Sequence, residues 1–153
     1  MGQPEDRERL FARVNQTWEQ FDILVNNAGT NIRKKAREFS DEEYQHIFKT
    51  NLHSTFDLCR RAFPFLKKSG SGSIVNISSV AGLTHMRTGA PYGMSKAAMV
   101  QLTRNLAVEW AREGIRVNCI APWYIHTPLV EKLFENREYL KEEIDRTPMG
   151  RIG

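Results

Sequence analysis

Three short apolar runs, separated by two long stretches that each carry helical periodicity, constrain this chain more than any other feature. They are Phe21–Val25, Ser73–Ser78 and Ile115–Ile120. Each is too compact for a helix and reads as a strand. Strands that alternate with helices cannot fold back as hairpins. The connections must cross over in the right-handed sense, laying the strands parallel with helices against the sheet. The fold class is therefore α/β, a doubly wound parallel sheet. A complete sheet of this kind has six strands and, at roughly 30 residues per strand–helix–strand unit, needs on the order of 200 residues. The 153 residues here hold three. They are expected to form a single partial domain over 1–153, with three central-to-late strands that pair in chain order.

The intervening segments carry their own punctuation. From Pro4 to Gln20 the residues Leu10, Phe11, Val14 and Trp18 recur at helical spacing. Ser40-Asp41-Glu42-Glu43 is a capping box, and it opens one long amphipathic helix over Asp41–Leu66 that runs through Tyr44, Ile47, Phe48, Leu52, Phe56, Cys59 and Phe63. Pro64 is expected to kink its end. Ser69-Gly70-Ser71-Gly72 breaks it. A third helix covers Pro91–Arg112 and is closed by Gly114. Beyond Pro122, two shorter helical pieces are read around Leu129–Phe134 and Glu138–Ile144.

Composition removes several classes of function. The longest run free of Asp, Glu, Lys and Arg, Ser69–Met86, is rich in Ser, Gly and Asn, so no membrane span is expected. The net charge of +4 comes from scattered residues, which leaves no basic stripe for nucleic acid. Four histidines lack metal-ligand spacing, and no metal site is expected. Cys59 and Cys119 form no disulfide framework and read as small core residues of a protein in a reducing compartment. The amino terminus has no apolar signal region, which makes the cytoplasm the expected location.

In open parallel sheets ligands collect outside the carboxyl ends of the strands. All three ends are polar here: Asn26-Asn27-Ala28-Gly29, Ser78-Ser79, and Ala121 through Thr127. Turn formation alone accounts for any one of them. Three at one sheet edge are harder to explain that way. Tyr92 and Lys96 stand four apart in the segment that follows Ser79, so they share one face at the start of the third helix. That placement brings a phenol, an ammonium and a hydroxyl toward one cleft.

These residues resemble a family. Asn26-Asn27-Ala28-Gly29, Asn51, Ser79, Tyr92-x-x-x-Lys96 and Asn118-x-x-x-Pro122 are similar, in order and spacing and over essentially the whole chain, to the short-chain dehydrogenase/reductases. Ala121-Pro122-Trp123-Tyr124-Ile125, with Trp where most members have Gly, resembles the tropinone reductase-like branch. The resemblance implies a Rossmann-like sheet and a catalytic tetrad of Asn51, Ser79, Tyr92 and Lys96. A nicotinamide-dependent oxidoreductase is implied, reducing the ketone of a small or medium hydrophobic substrate with Tyr92 as proton donor. The branch implies NADP, with NAD not excluded. Carried over by position, the cofactor would be held by Asn27, Ala28, Gly29, Tyr92, Lys96, Ile125 and Thr127. Substrate shape would be set by residues 85–90, Trp123, and a lid holding Leu129, Leu133, Phe134 and Tyr139. The family also implies a homo-oligomer, dimer or tetramer, in the complete protein. From chemistry, the Lys96 ammonium beside Tyr92 is expected to favour the phenolate, drawing its pKa down from about 10.

The family's glycine-rich turn has no counterpart before Asn26, and the tail ends at Gly150-Arg151-Ile152-Gly153. The expectation is a partial chain that lacks the amino-terminal cofactor motif and the carboxy-terminal end. Two readings follow. In one the chain carries the chemistry of a carbonyl reductase. In the other it is an inactive fragment or paralogue that serves only as an oligomerisation or interaction module.

Overall fold

The computed structural model describes residues 2–153. They form two compact units, one running to Ala121 and the other from Pro122 to Gly153. The first unit contains α1 (Pro4–Thr17), β1 (Ile23–Asn26), α2 (Asp41–Phe48), a π-helical turn (Lys49–His53), α3 (Ser54–Ser69), β2 (Ser73–Ile77), a 3-10 turn (Val80–Gly82), α4 (Ala90–Glu109), a second 3-10 turn (Ala111–Glu113) and β3 (Arg116–Ile120). A further 3-10 turn, Ala36–Glu38, precedes α2. The second unit has two short helices, α5 (Glu131–Phe134) and α6 (Arg137–Asp145).

The helix ends follow from sequence chemistry. Pro4 sits in the first turn of α1, where its missing N–H costs nothing, and Glu5 and Asp6 face the positive end of the helix dipole. Ser40 Oγ accepts from Glu43 N at 3.2 Å while the Glu43 carboxylate accepts from Ser40 N at 3.1 Å, closing the capping box.

The three strands are parallel in the order β1-β2-β3. Their register aligns Leu24, Ile74 and Val117 in one row and Asn26, Asn76 and Cys119 in another. Ile74 and Val117 are buried in a core with Leu58, Cys59, Ala62 and Leu66 of α3, Leu106 of α4 and Phe11 of α1. The fold is thus α/β, a parallel sheet flanked by helices. Residues of the alternate set behave differently, with Ile23, Val25 and Ile120 exposed by 64%, 54% and 52%. β1 was expected as a buried strand over Phe21–Val25. It begins two residues later, and only its Leu24 and Asn26 turn away from solvent. An apolar hollow lined by Leu10, Val14, Trp18, Phe21, Ile23 and Val25 runs along it.

Two other local expectations are corrected. The helix from Asp41 runs on to Ser69, past the expected end at Leu66, with Pro64 inside α3. It also carries a wider turn at Lys49–His53, which periodicity does not reveal because one π turn shifts the apolar stripe by only one residue. The third helix stops at Glu109 and tightens into the 3-10 turn before Gly114.

One close contact fixes the part of the fold that matters most below. The turn after β2 presses on α4 at Gly82, where a Cβ would meet the carbonyl carbon of Lys96 at 2.7 Å and the amide nitrogen of Ala97 at 2.8 Å. Both are rigid backbone atoms. Gly82→Ala is therefore expected to force the turn off α4 at a cost of about 1–3 kcal/mol, the range for overpacking. A urea-unfolding midpoint equal to wild type would show that the turn is not pressed there.

Candidate active site

The carboxyl end of β2 and the second turn of α4 hold each other through two reciprocal bonds. Lys96 Nζ donates to Ile77 O at 2.7 Å, and Ser78 Oγ donates to Lys96 O at 2.9 Å. Lys96 is 4% exposed and Ser78 equally so. Ser79, one residue on, caps the 3-10 turn by accepting from Ala81 N at 3.1 Å. Its hydroxyl lies near enough to that of Tyr92 to draw the phenol's pKa down in part. Ser79, Tyr92 and Lys96 therefore come together, with Lys96 Nζ 5.8 Å from the centroid of the Tyr92 ring.

Asn51 joins the same cluster from the π turn. It is fully buried, with its Oδ1 accepting from Thr30 N at 2.8 Å and its Nδ2 donating to Thr30 O at 3.0 Å and to Ser95 Oγ at 3.1 Å. Ser95 Oγ in turn donates to Tyr92 O at 2.8 Å. A helix-interior Asn ordinarily bonds within its own helix. Here the extra residue of the π turn lies between α2 and α3, and the amide side chain ties the loop after β1 to the second turn of α4. Thr30 and Ser95 are parts of the site that sequence reasoning missed. Ser95 had a usable signal, since it lies one turn after Tyr92 and next to Lys96; Thr30 had none.

The electrostatics depart from expectation at Tyr92. Burial holds its phenol above the ordinary value near 10, with the Ser79 hydrogen bond and the Arg33 charge acting only partly against it. The neighbouring ammonium does not favour the phenolate as expected, because Nζ lies over the ring and is turned to Ile77 O. The same burial pushes Lys96 down to about 8 from 10.5, opposed in part by the neighbouring Cys119. Arg33, like Thr30, carries no signal in the sequence that would select it. Cys59, by contrast, is an inert core residue whose thiol burial pushes up to about 12. Cys119, expected to be a core residue too, is only half-buried.

Asn27, Ala28 and Gly29 form an exposed turn at the carboxyl end of β1. A Cβ at Gly29 would lie 3.5 Å from Lys96 Nζ and 3.6 Å from Asn51 Oδ1, so this turn borders the cluster directly. The Lys96 ammonium fits the ribose of a nicotinamide cofactor. An ammonium has three N–H groups and Ile77 O takes one of them, leaving two for ribose hydroxyls. Residues 85–90, expected to shape the substrate site, line a concave surface at the start of α4 through His85, Met86, Thr88, Gly89 and Ala90.

The remaining expected contacts belong to the second unit. Ile125 and Thr127 are exposed on the segment that precedes α5. Trp123, Tyr124, Phe134 and Tyr139 form an aromatic cluster, with the Tyr124 and Tyr139 hydroxyls 2.5 Å apart and Arg146 over the Trp123 ring. Leu133 is half-buried and Leu129 is 43% exposed. No cluster of metal-ligating side chains occurs among the described residues. No helix among them is long and apolar enough to cross a membrane.

The family model described as short chain dehydrogenase matches residues 1–138. A tropinone reductase homolog of Arabidopsis thaliana is 53% identical over 150 residues, covering 97% of this chain and 57% of the relative. One from Datura stramonium is 41% identical and is covered to 56%. Among solved structures, a gluconate 5-dehydrogenase from Burkholderia cenocepacia, in complex with NADP and tartrate, superposes with a TM-score of 0.93 at 30% identity over 99% of this chain and 60% of its own. The chain thus spans a little over half the length of the curated relatives it matches. With Ser79, Tyr92 and Lys96 gathered at the carboxyl end of a parallel sheet, the chain belongs to the short-chain dehydrogenase family and is tropinone reductase-like.

Proposed function

We propose that this chain carries the catalytic centre of a carbonyl reductase that uses NADP. The observation that carries the reading is the Ser79–Tyr92 hydroxyl pair, with Lys96 over the Tyr92 ring, at the edge of the sheet. When bound, a reduced nicotinamide would supply hydride to the carbonyl carbon. Tyr92 donates its proton to the carbonyl oxygen, which suits a phenol that burial keeps protonated at neutral pH. Ser79 holds the same oxygen and stabilises the charge that develops on it. The Tyr92 phenolate then recovers its proton from solvent.

Lys96 and the exposed turn at Asn27, Ala28 and Gly29 are the residues that would hold the ribose and adenosine parts of the cofactor, with Ile125 and Thr127 assigned to the nicotinamide amide by resemblance. Asn51 acts here as a positioning residue, since its amide is engaged by Thr30 and Ser95. NADP is chosen over NAD because the gluconate 5-dehydrogenase relative was solved with NADP. A homo-oligomeric protein, dimer or tetramer, accords with Phe56 of α3 and Val108 of α4 being 45% and 81% exposed. The bare apolar flank of β1 favours a second reading, in which the chain serves as a catalytically silent interaction module. Reduction of a ketone by NADPH, with the protein at the length of its relatives, separates the two.

In that assay Tyr92→Phe is expected to lower kcat by roughly 10²-fold or more while leaving NADPH affinity nearly unchanged, since only the proton donor is lost. Retention of more than about a tenth of the rate would assign the proton to another acid.

A second measurement needs no turnover. Lys96 titrates near about 8 in the fold against 10.5 as its ordinary value. Between those limits the unfolded chain holds more protons, so this group makes stability rise with pH. The burial penalty is complete below the lower value and gone above the upper one. Relative to Lys96→Met, wild type should gain about 3 kcal/mol in urea unfolding between pH 7 and about pH 10.5. Contributions from Tyr92 and Cys59, whose raised values act in the opposite sense, cancel in this difference. A difference independent of pH would show that the ammonium is hydrated.

A further inference from the structure

The segment that leaves β2 is attached to two elements at once through Ser78. Its backbone N–H donates to Ile120 O of β3 at 2.8 Å, which continues the strand pairing by one residue, while its Oγ donates to Lys96 O of α4 at 2.9 Å. The residue is 4% exposed. Beyond it the turn lies directly on the helix. A Cβ at Gly93 would meet Ala81 O at 3.0 Å, and Gly82 leaves no room for a Cβ against Lys96 and Ala97. Packing of this kind limits how closely the turn approaches α4 but does little to oppose its withdrawal. A directed bond opposes it. The Lys96 ammonium also holds the strand end, through Ile77 O, yet it is joined to the helix by a flexible aliphatic stem that tolerates a shift of the backbone. Ser78 reaches the helix backbone itself through a short side chain.

Ser79 is the next residue in the chain, and Tyr92 lies one helical turn before Lys96. The Ser78–Lys96 bond therefore spans the same gap, between the end of β2 and α4, that the Ser79 and Tyr92 hydroxyls must close to hold one carbonyl oxygen. Resting on the reductase reading above, we infer that Ser78 is a positioning residue, whose hydroxyl sets the separation of Ser79 and Tyr92 and acts on the reaction only through them. Its own proton is committed to Lys96 O and takes no part in the chemistry. Stability should depend on it only weakly, because Lys96 O lies inside α4 and keeps its helical N–H partner when the hydroxyl is removed. Turnover should depend on it strongly, since a misplacement of about 1 Å at reacting groups costs on the order of 10²-fold.

The test compares Ser78→Thr with Ser78→Val, which match in shape and differ in the hydroxyl, in the protein at the length of its relatives. With a ketone and NADPH, Ser78→Val is expected to lower kcat by about tenfold or more while KM for NADPH stays within about threefold, and Ser78→Thr to keep kcat within about threefold of wild type. Urea midpoints verify that the two are equally folded. A readout that needs no turnover is the Cζ resonance of Tyr92 in apo protein isotopically labelled at tyrosine, assigned with Tyr92→Phe, which reports what the phenol hydroxyl meets. Ser79→Ala gives the position of that resonance without the Ser79 hydroxyl. Ser78→Val should move it most of the way to that position, and Ser78→Thr should leave it at the wild-type value. The inference is overturned if the Val and Thr variants share one kcat or one Cζ position, or if Ser79→Ala leaves the resonance where it was. Should the added methyl groups prevent both from folding, Ser78→Ala decides by the same two readings: a lowered kcat with a moved resonance supports the inference, and a wild-type value of either overturns it. Absence of turnover in wild type would count against the reductase reading alone, since the resonance still reports on Ser78.

Discussion

The site depends on the reciprocal clamp between Lys96 and the end of β2. An ammonium buried with a backbone carbonyl as acceptor is costly to desolvate, as its downward shift shows. The return is positional. Ile77 O fixes the head of the side chain, and Ser78 Oγ fixes the backbone carbonyl of the same residue. Residues on either side inherit that precision. Ser79 follows Ser78 directly, and Tyr92 lies one helical turn before Lys96. A side-chain hydroxyl from a strand end and a phenol from a helix thereby meet without either lying on a flexible loop, which is how catalytic geometry is best held.

Beneath the clamp the sheet is tied to α4 by a second polar row. Asn26 Nδ2 donates to Asn76 Oδ1 at 2.8 Å, Asn76 Nδ2 donates to Thr103 Oγ1 at 2.9 Å, and Thr103 Oγ1 donates to Met99 O at 2.8 Å. The row crosses β1, β2 and the helix in register, with Asn26 and Asn76 as direct strand neighbours. Buried amides in a mostly apolar layer are tolerated only when their partners are correctly placed, so this row penalises any slip of the strands by one residue. It also sets the level at which the strands end, and hence where the Asn27–Gly29 turn begins.

Charge around Tyr92 is arranged by burial more than by pairing. The phenol is kept neutral by its surroundings, and the two cations differ in role. Lys96, over the ring, is spent on the Ile77 carbonyl, while the Arg33 charge partly offsets the burial of the phenol. A buried neutral phenol serves ketone reduction, in which a proton must be given up. The reverse reaction needs the phenolate, and here it is the Arg33 charge and the Ser79 hydrogen bond that favour it.

By itself the sequence determined the parallel α/β architecture, the chain-order pairing of the strands, the capped start at Ser40 and the meeting of Ser79, Tyr92 and Lys96. Each of these rests on local periodicity or on a spacing that a helix or strand converts directly into geometry. Only the tertiary structure decided the rest. The π turn that frees Asn51 from its own helix depends on Thr30, 21 residues away. The direction of the Tyr92 shift depends on how deeply the ring is buried and on where the Lys96 ammonium points. Neither is written in the four-residue spacing that first paired them. The course of the loop around Arg33 depends on Gly89, which precedes α4 and whose missing Cβ lets Ile32 O approach. Burial and loop contacts are many-body properties of the packed chain, and periodicity along one segment does not carry them.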